Sequence, residues 1–195
     1  MISEFVKGKA SIFIDASNVY YSQNKLKWRI DFRKFLNYLK QETDLRGIYY
    51  YTARDLSFIK QTKFLNFLEM IGYKVRSKKI KFIKDKNKKV EKEKNGFFKG
   101  NLDVELTMDV LETKNDYDTL ILVSGDSDFE PLLQLMKMKY KKRCLVMATK
   151  HSVSIELIKC AKYINLAKLR KYIEKNEQKN SRTPEGAEKF EALVP

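Results

Sequence analysis

The chain has one histidine, two cysteines and no long apolar run, and each scarcity removes a class of function. With His151 as the sole imidazole, a zinc site built on histidines, a histidine pair for acid–base ribonuclease chemistry and most histidine triads are excluded or reduced to one candidate. Any chemistry therefore falls to carboxylates. Cys144 and Cys160 are too few and too far apart for a thiolate metal cluster, and both stand among apolar residues, which predicts small core thiols in a reducing, cytoplasmic compartment. No stretch approaches the roughly 20 apolar residues that span a bilayer, and Met1 to Lys9 lacks a signal-peptide hydrophobic region, so a soluble, unexported protein is expected. A Gly-rich phosphate loop ending in Lys-Ser/Thr is missing, which argues against ATP use. No Gly/Pro/Ser-rich linker and no internal repeat interrupts the chain, so one domain over 1–175 is expected, with a disordered polar tail over 176–195.

What the chain has in excess is positive charge: 40 Lys+Arg against 25 Asp+Glu, a formal +15. Such an excess favours a polyanionic partner, because each neutralised phosphate releases condensed counterions. Nucleic acid ranks first and an anionic membrane second.

Short β-branched or aromatic runs alternate with segments of helical period, the pattern of βαβ units and a mostly parallel sheet. Five strands are expected near 10–14, 46–52, 73–77, 119–123 and 143–147, and the clearest helices at 31–41, 57–71, 102–114, 128–139, 153–161 and 166–176. Residues 78–99 break the alternation with a lysine-dense stretch that reads as a polar hairpin or arm.

The carboxylates fall at informative places. Asp15 follows the first expected strand in Phe13-Ile-Asp-Ala-Ser-Asn18, and ligands of open parallel sheets bind beyond the carboxyl ends of strands. Asn18 is a candidate to cap the next helix or to orient the Asp15 carboxylate. Val123-Ser-Gly-Asp126-Ser-Asp128-Phe-Glu-Pro131 repeats the arrangement after the fourth strand. Ser127 and Glu130 fit a capping box and Pro131 a first helical turn, which is an ordinary structural explanation for those three. It leaves Asp126 and Asp128 unexplained, since neighbouring carboxylates repel unless a cation lies between them. Asp103, in Lys99-Gly-Asn-Leu-Asp103-Val104, is expected in the first turn of a helix, with Thr107 on its face at i+4. Asp109 is off that face, so Asp103 is preferred, and Glu105 and Asp109 are assigned supporting or surface roles. An all-oxygen set selects Mg²⁺ or Mn²⁺ over zinc.

Ile14-Asp-Ala-Ser-Asn18, Lys99-Gly-Asn-Leu-Asp103-Val104 and Ser124-Gly-Asp126-Ser-Asp128-Phe129, in that order, resemble the NYN family, the LabA-like group of PIN-like nucleases, over roughly residues 9 to 170. Ala16 stands where the family commonly has Gly, and Lys162 where it commonly has Asp; neither is a presumed ligand. The resemblance implies a three-layer α/β/α sandwich with strand order 3-2-1-4-5, bringing Asp15 beside Asp126. It also implies that Asp15, Asp103, Asp126 and Asp128 form the catalytic metal site, with Asn18 and Ser124 in support.

The function expected is metal-dependent hydrolysis of RNA phosphodiester bonds, by an endoribonuclease that leaves a 5′-phosphate and a 3′-hydroxyl. Lys78, Lys79, Lys81, Lys99, Phe97 and Phe98 are candidate RNA contacts, with Tyr20, Tyr21 and Trp28 as further candidates for stacking on unpaired bases. The rival is a non-catalytic RNA-binding module of the same fold. An acyl-phosphate phosphatase is disfavoured, because Asp15-Ala-Ser lacks a second acid at i+2. A homodimer would lengthen the basic surface.

Overall fold

The computed structural model describes residues 1–84, 96–99 and 101–176. Chain order gives β1 (Lys9–Asp15), α1 (Ala16–Leu26), α2 (Phe32–Glu42), β2 (Asp44–Arg54), α3 (Ile59–Ile71), β3 (Lys74–Lys79), β4 (Lys81–Lys84) and β5 (Gly96–Lys99). There follow α4 (Asp103–Glu112), β6 (Thr119–Val123), α5 (Glu130–Met138), β7 (Arg143–Ala148), α6 (Ile155–Cys160), β8 (Lys162–Asn165) and α7 (Arg170–Ile173).

The main sheet is fully parallel and runs β3-β2-β1-β6-β7-β8. It has six strands where the sequence suggested five. The added strand, β8, is four residues long, lies at an edge and reads Lys-Tyr-Ile-Asn, too short and too polar to show as a buried run. The last expected helix is also broken up, 166–176 resolving into a 3₁₀ turn, Leu166–Leu169, and the single turn of α7.

Strand side chains alternate between two cores, as a period of two requires. Ile12, Ile14, Ile48, Tyr50, Ile121, Val123, Leu145 and Met147 face one core, which α1, α2, α3 and α7 close with Val19, Phe35, Leu39, Leu65, Leu68 and Ile173. Phe13, Tyr49, Tyr51, Leu120, Leu122, Cys144 and Val146 face the other, closed by α4, α5 and α6 through Leu106, Val110, Leu133, Met136 and Leu157. This is the three-layer α/β/α arrangement. In the second core the Phe13 and Tyr49 rings stack 4.7 Å apart at 5°, a geometry worth about 0.5–1.5 kcal/mol beyond area burial.

From β1 the chain winds outward through β2 to β3, then crosses back to β6 on the other flank of β1. The order reverses between β1 and β6, so their carboxyl ends open a crevice, the usual ligand position in such sheets. The lysine-dense excursion leaves and re-enters near this point. Its described part is an antiparallel pair, Lys81↔Lys99 to Lys84↔Gly96, whereas Lys78 and Lys79 complete β3. The tail expected to be disordered lies, from residue 177 onward, outside the described residues.

Candidate metal centre

Asp15 is the last residue of β1 and the N-cap of α1. Its Oδ1 accepts the Ser17 hydroxyl at 2.6 Å, the Ser17 amide at 3.0 Å and the Asn18 amide at 3.3 Å. Its Oδ2 accepts the Ser124 hydroxyl at 2.9 Å, across from β6. The cap is therefore Asp15 rather than Asn18, and the short side-chain donor is Ser17. The signal was present as Asp-x-Ser, an Asx-type pattern in which the hydroxyl and amide at i+2 both reach back. Asp15 is 8% exposed. Burial raises its pKa, opposed by the hydrogen bonds from Ser17, Asn18 and Ser124.

Beside it, Asp126 follows β6, which pairs with β1 as far as Ile14↔Val123. Its amide donates to Ser124 Oγ at 3.2 Å, and its carboxylate accepts the Asp128 amide at 3.0 Å, capping a 3₁₀ turn over Ser127–Phe129. That turn displaces the expected capping box. The helix α5 starts at Glu130 without a side-chain cap, Pro131 sits in its first turn, and Glu130 accepts a hydrogen bond from Gln134 instead of reaching back. The Asp-x-Asp spacing is what makes Asp126, not Ser127, the local acceptor. Gly125 is required by a close approach: a Cβ there would lie 2.0 Å from the Ser152 carbonyl oxygen, and Ser154 donates its amide to the Gly125 carbonyl at 2.9 Å. The 149–154 loop thus braces the acidic turn, and sequence reasoning did not single it out.

Asp103 opens α4 and is held by Asn101, which donates from Nδ2 to Asp103 Oδ2 at 2.6 Å and accepts the Asp103 amide at 2.9 Å. Asp103, Asp126 and Asp128 each present a carboxylate oxygen within 4.8 Å of the other two. Asp15 is outside that trio, both of its oxygens being engaged in hydrogen bonds, yet its charge reaches Asp103. Burial, followed by the charges of Asp15, Asp126 and Asp128, raises the Asp103 pKa against the Asn101 hydrogen bond. Mutual repulsion among hard oxygen donors is what a divalent metal reverses on binding. The acidic group thus fits a divalent metal.

Asp109 points elsewhere. Its Oδ2 accepts the Tyr51 hydroxyl at 2.9 Å and Arg76 Nε at 2.9 Å, bridging β2, β3 and α4. Glu105 pairs with Lys78 at 2.6 Å. Thr107 is half-buried one turn beyond Asp103, and no hydrogen bond among the described residues joins it to the acids.

A cleft of about 600 Å³ extends from Asp15, Asp103 and Asp126 along Tyr20, Tyr21, Phe58 and Phe64, with Arg29 and Lys60 at its margin. Ile80 and Asn101, which flank the β4–β5 excursion, both line it. Of the stacking candidates, Tyr20 and Tyr21 are in this cleft; Trp28 is not, being 7% exposed and packed in the first core. Lys79 is exposed at the end of β3, while the backbones of Lys81, Phe97, Phe98 and Lys99 form the paired hairpin strands.

The chain matches the NYN domain family over residues 9–167. It belongs to the NYN family. This family of PIN-like nucleases acts on RNA. The NYN chain is 35% identical over 181 residues to the low amplitude and bright protein LabA of Synechococcus elongatus, covering 89% of this chain and 92% of that protein. A solved structure of a protein of unknown function from Vibrio parahaemolyticus superposes with a TM-score of 0.68 at 29% identity, over 82% of this chain and 93% of that one. No helix among the described residues is long and apolar enough to cross a membrane.

Proposed function

We propose that this NYN protein is a Mg²⁺- or Mn²⁺-dependent endoribonuclease, with Asp15, Asp103, Asp126 and Asp128 as its acidic machinery. The observation that carries this reading is the convergence of Asp103, Asp126 and Asp128 within 4.8 Å at the sheet's switch point, beside the buried Asp15. Asp103, Asp126 and Asp128 would hold a divalent cation there, and that cation would supply Lewis-acid assistance to water and to charge developing on the phosphodiester.

The chain's own residues do the positioning. Ser17 and Ser124 fix both oxygens of Asp15, so its carboxylate keeps one orientation. Asn101 fixes Asp103, and the Asp128 amide fixes Asp126. Such supporting hydrogen bonds hold acidic groups in place without reorganisation during the reaction.

A single-stranded substrate suits the cleft, since Tyr20, Tyr21 and Phe58 line it beside the acids and aromatic side chains are the usual stacking partners of unpaired bases. Arg29 and Lys60 are suited to flanking phosphates, and further candidate contacts are Lys78 and Lys79 at the end of β3, the first of them also paired with Glu105, and Lys81, Lys99, Phe97 and Phe98 of the β4–β5 pair. Asn18 supports the group through its backbone amide to Asp15, and Thr107, one turn beyond Asp103, stays a candidate supporting residue. Cytoplasmic residence is part of the same proposal, in keeping with two buried unpaired thiols. So is a homodimer, which light scattering tests.

Attack of water at phosphorus with the 3′ oxygen as the leaving group breaks the P–O3′ bond and leaves a 5′-phosphate and a 3′-hydroxyl. The test is cleavage of a circular single-stranded RNA with Mn²⁺, followed by end-group analysis of the products. Linear fragments with 5′-phosphates support an endonuclease; an intact circle beside a degraded linear control points to exonuclease action. Binding of both RNAs without cleavage, in Mn²⁺ and in EDTA alike, favours the non-catalytic module.

A further inference from the structure

At the opposite end of the sheet, where β6 and β7 begin, a second concavity of about 450 Å³ is lined by Lys137, Lys141, Lys142, Arg143, Lys159 and Lys162. Lys7 adds a seventh cation and Asp118 is the one acid among the lining residues. That acid is already engaged, its Oδ2 accepting the Lys9 amide at 2.9 Å. Among the described residues, none of the seven cations forms an ion pair.

Three of the cations are anchored rather than trailing in solvent. Lys142 Nζ donates to the Tyr117 carbonyl at 2.6 Å, Lys137 Nζ to the Cys160 carbonyl at 3.2 Å, and Arg143 Nε to the Phe5 carbonyl at 3.2 Å. Neutral carbonyls fix these positions without cancelling their charge. Scattered surface lysines minimise repulsion by spreading apart, whereas here the backbone holds like charges around one hollow. A polyanion offsets that repulsion.

The two ends of the sheet are separate. Asp118 precedes β6 and Ser124 follows it; at about 3.3 Å per residue the strand sets them about 20 Å apart. A ligand in the basic hollow does not touch the acids unless it is long enough to pass around the domain.

We propose that this hollow is a second, non-catalytic anchoring site for the phosphodiester backbone of single-stranded RNA. The proposal rests on the nucleic-acid substrate of the preceding reading. Long RNA engages both sites, and a trinucleotide engages the acids alone.

The test is fluorescence anisotropy with a long single-stranded RNA in EDTA, where no cleavage competes, across a range of salt concentrations. The triple variant Lys7→Gln/Lys141→Gln/Lys159→Gln removes three exposed charges whose side chains make no hydrogen bond among the described residues. Each phosphate contact contributes about 0.7 to the slope of log affinity against log salt for single strands, so the variant's slope is shallower by about 2. Its affinity for the long RNA falls, while its cleavage of a trinucleotide matches wild type. A control, Lys25→Gln/Lys40→Gln/Lys63→Gln, removes equal charge elsewhere and keeps the wild-type slope. The proposal is overturned by an unchanged slope in the triple variant, by an equal loss in the control, or by wild-type protein that does not bind the RNA. If Asp126→Asn cleaves like wild type while the triple variant still loses slope, the nuclease reading fails and this surface stands.

Discussion

Ser124 Oγ donates to Asp15 Oδ2 across 2.9 Å and accepts the Asp126 amide at 3.2 Å, so one hydroxyl couples the ends of β1 and β6. Both Ser124 and Asp15 are buried. Ser124→Ala leaves a buried carboxylate oxygen and a backbone amide without their partner, at a cost of about 1–3 kcal/mol. Urea unfolding reads that loss. Because the same contact orients an acidic group, Mn²⁺-dependent activity should also fall by about 10–100-fold. Wild-type activity in this variant would remove Ser124 from the positioning machinery.

Burial, together with repulsion from Asp15, Asp126 and Asp128, acts on Asp103 in a direction that can be measured. Its pKa in the folded, metal-free protein is raised from the ordinary 3.8. An acid raised on folding favours the folded state while protonated; that contribution is complete below the unfolded pKa and is lost as pH rises through the folded value. At neutral pH the metal-free cluster is therefore a destabilising feature. Asp103→Asn should raise the metal-free melting temperature at neutral pH and diminish the fall in stability with rising pH above 3.8. The same variant should lose most of the thermal gain that wild type shows with Mn²⁺, a gain of about 2.7 kcal/mol at a hundredfold excess over Kd. A metal-free melting temperature below wild type would contradict the argument.

Asp109 separates structural acids from functional ones. At 13% exposure it accepts from Tyr51 and Arg76, and burial together with the Asp109 contact pushes the Tyr51 pKa far up, keeping its hydroxyl a donor. Asp109→Ala strands that hydroxyl, which should cost about 1–3 kcal/mol. Metal affinity, followed by Mn²⁺ titration of the folded variant, should remain near wild type. A large loss of affinity at full foldedness would place Asp109 in the site.

Much of this was legible in the sequence, for reasons that particular residues illustrate. Ile12 and Ile14 alternate with Phe13 because β1 buries both faces, and that apolar run with an Asp at its end marks the crevice without any structure. Asp103 and the Asp126-x-Asp128 pair were readable as strand-end and helix-start acids. What escaped depends on contacts distant in sequence or on weak local signals. The need for glycine at 125 comes from Ser152, in a loop 27 residues on, and the Asp109 bridge requires Tyr51 and Arg76 from two strands. Trp28 is a stacking candidate only by its neighbours Lys25, Lys27 and Arg29; most aromatics of a domain this size are core, and Trp28 is one of them, the chain turning at Lys27, whose φ is 57°. The strand β8 is recruited by the exposed edge of β7 rather than by its own composition.

The thiols offer a check on the core itself. Burial pushes the Cys144 thiol up to about 12 and raises that of Cys160 as well. Since the thiolate is the reacting form, neither should react readily with a disulfide reagent at pH 8 in the folded protein. Unfolding in urea should expose both. Rapid labelling of Cys144 in the native state would show that the α5–β7–α6 core opens.

The account turns on whether the acidic cluster performs hydrolysis. The most direct measurement is Mn²⁺-dependent cleavage of a mixed single-stranded RNA pool by wild type and Asp126→Asn, with cut sites mapped and folding of the variant checked by circular dichroism. The account predicts internal cuts by wild type, their suppression by EDTA, and loss of cutting in a folded Asp126→Asn protein. Equal cleavage by the variant would contradict it.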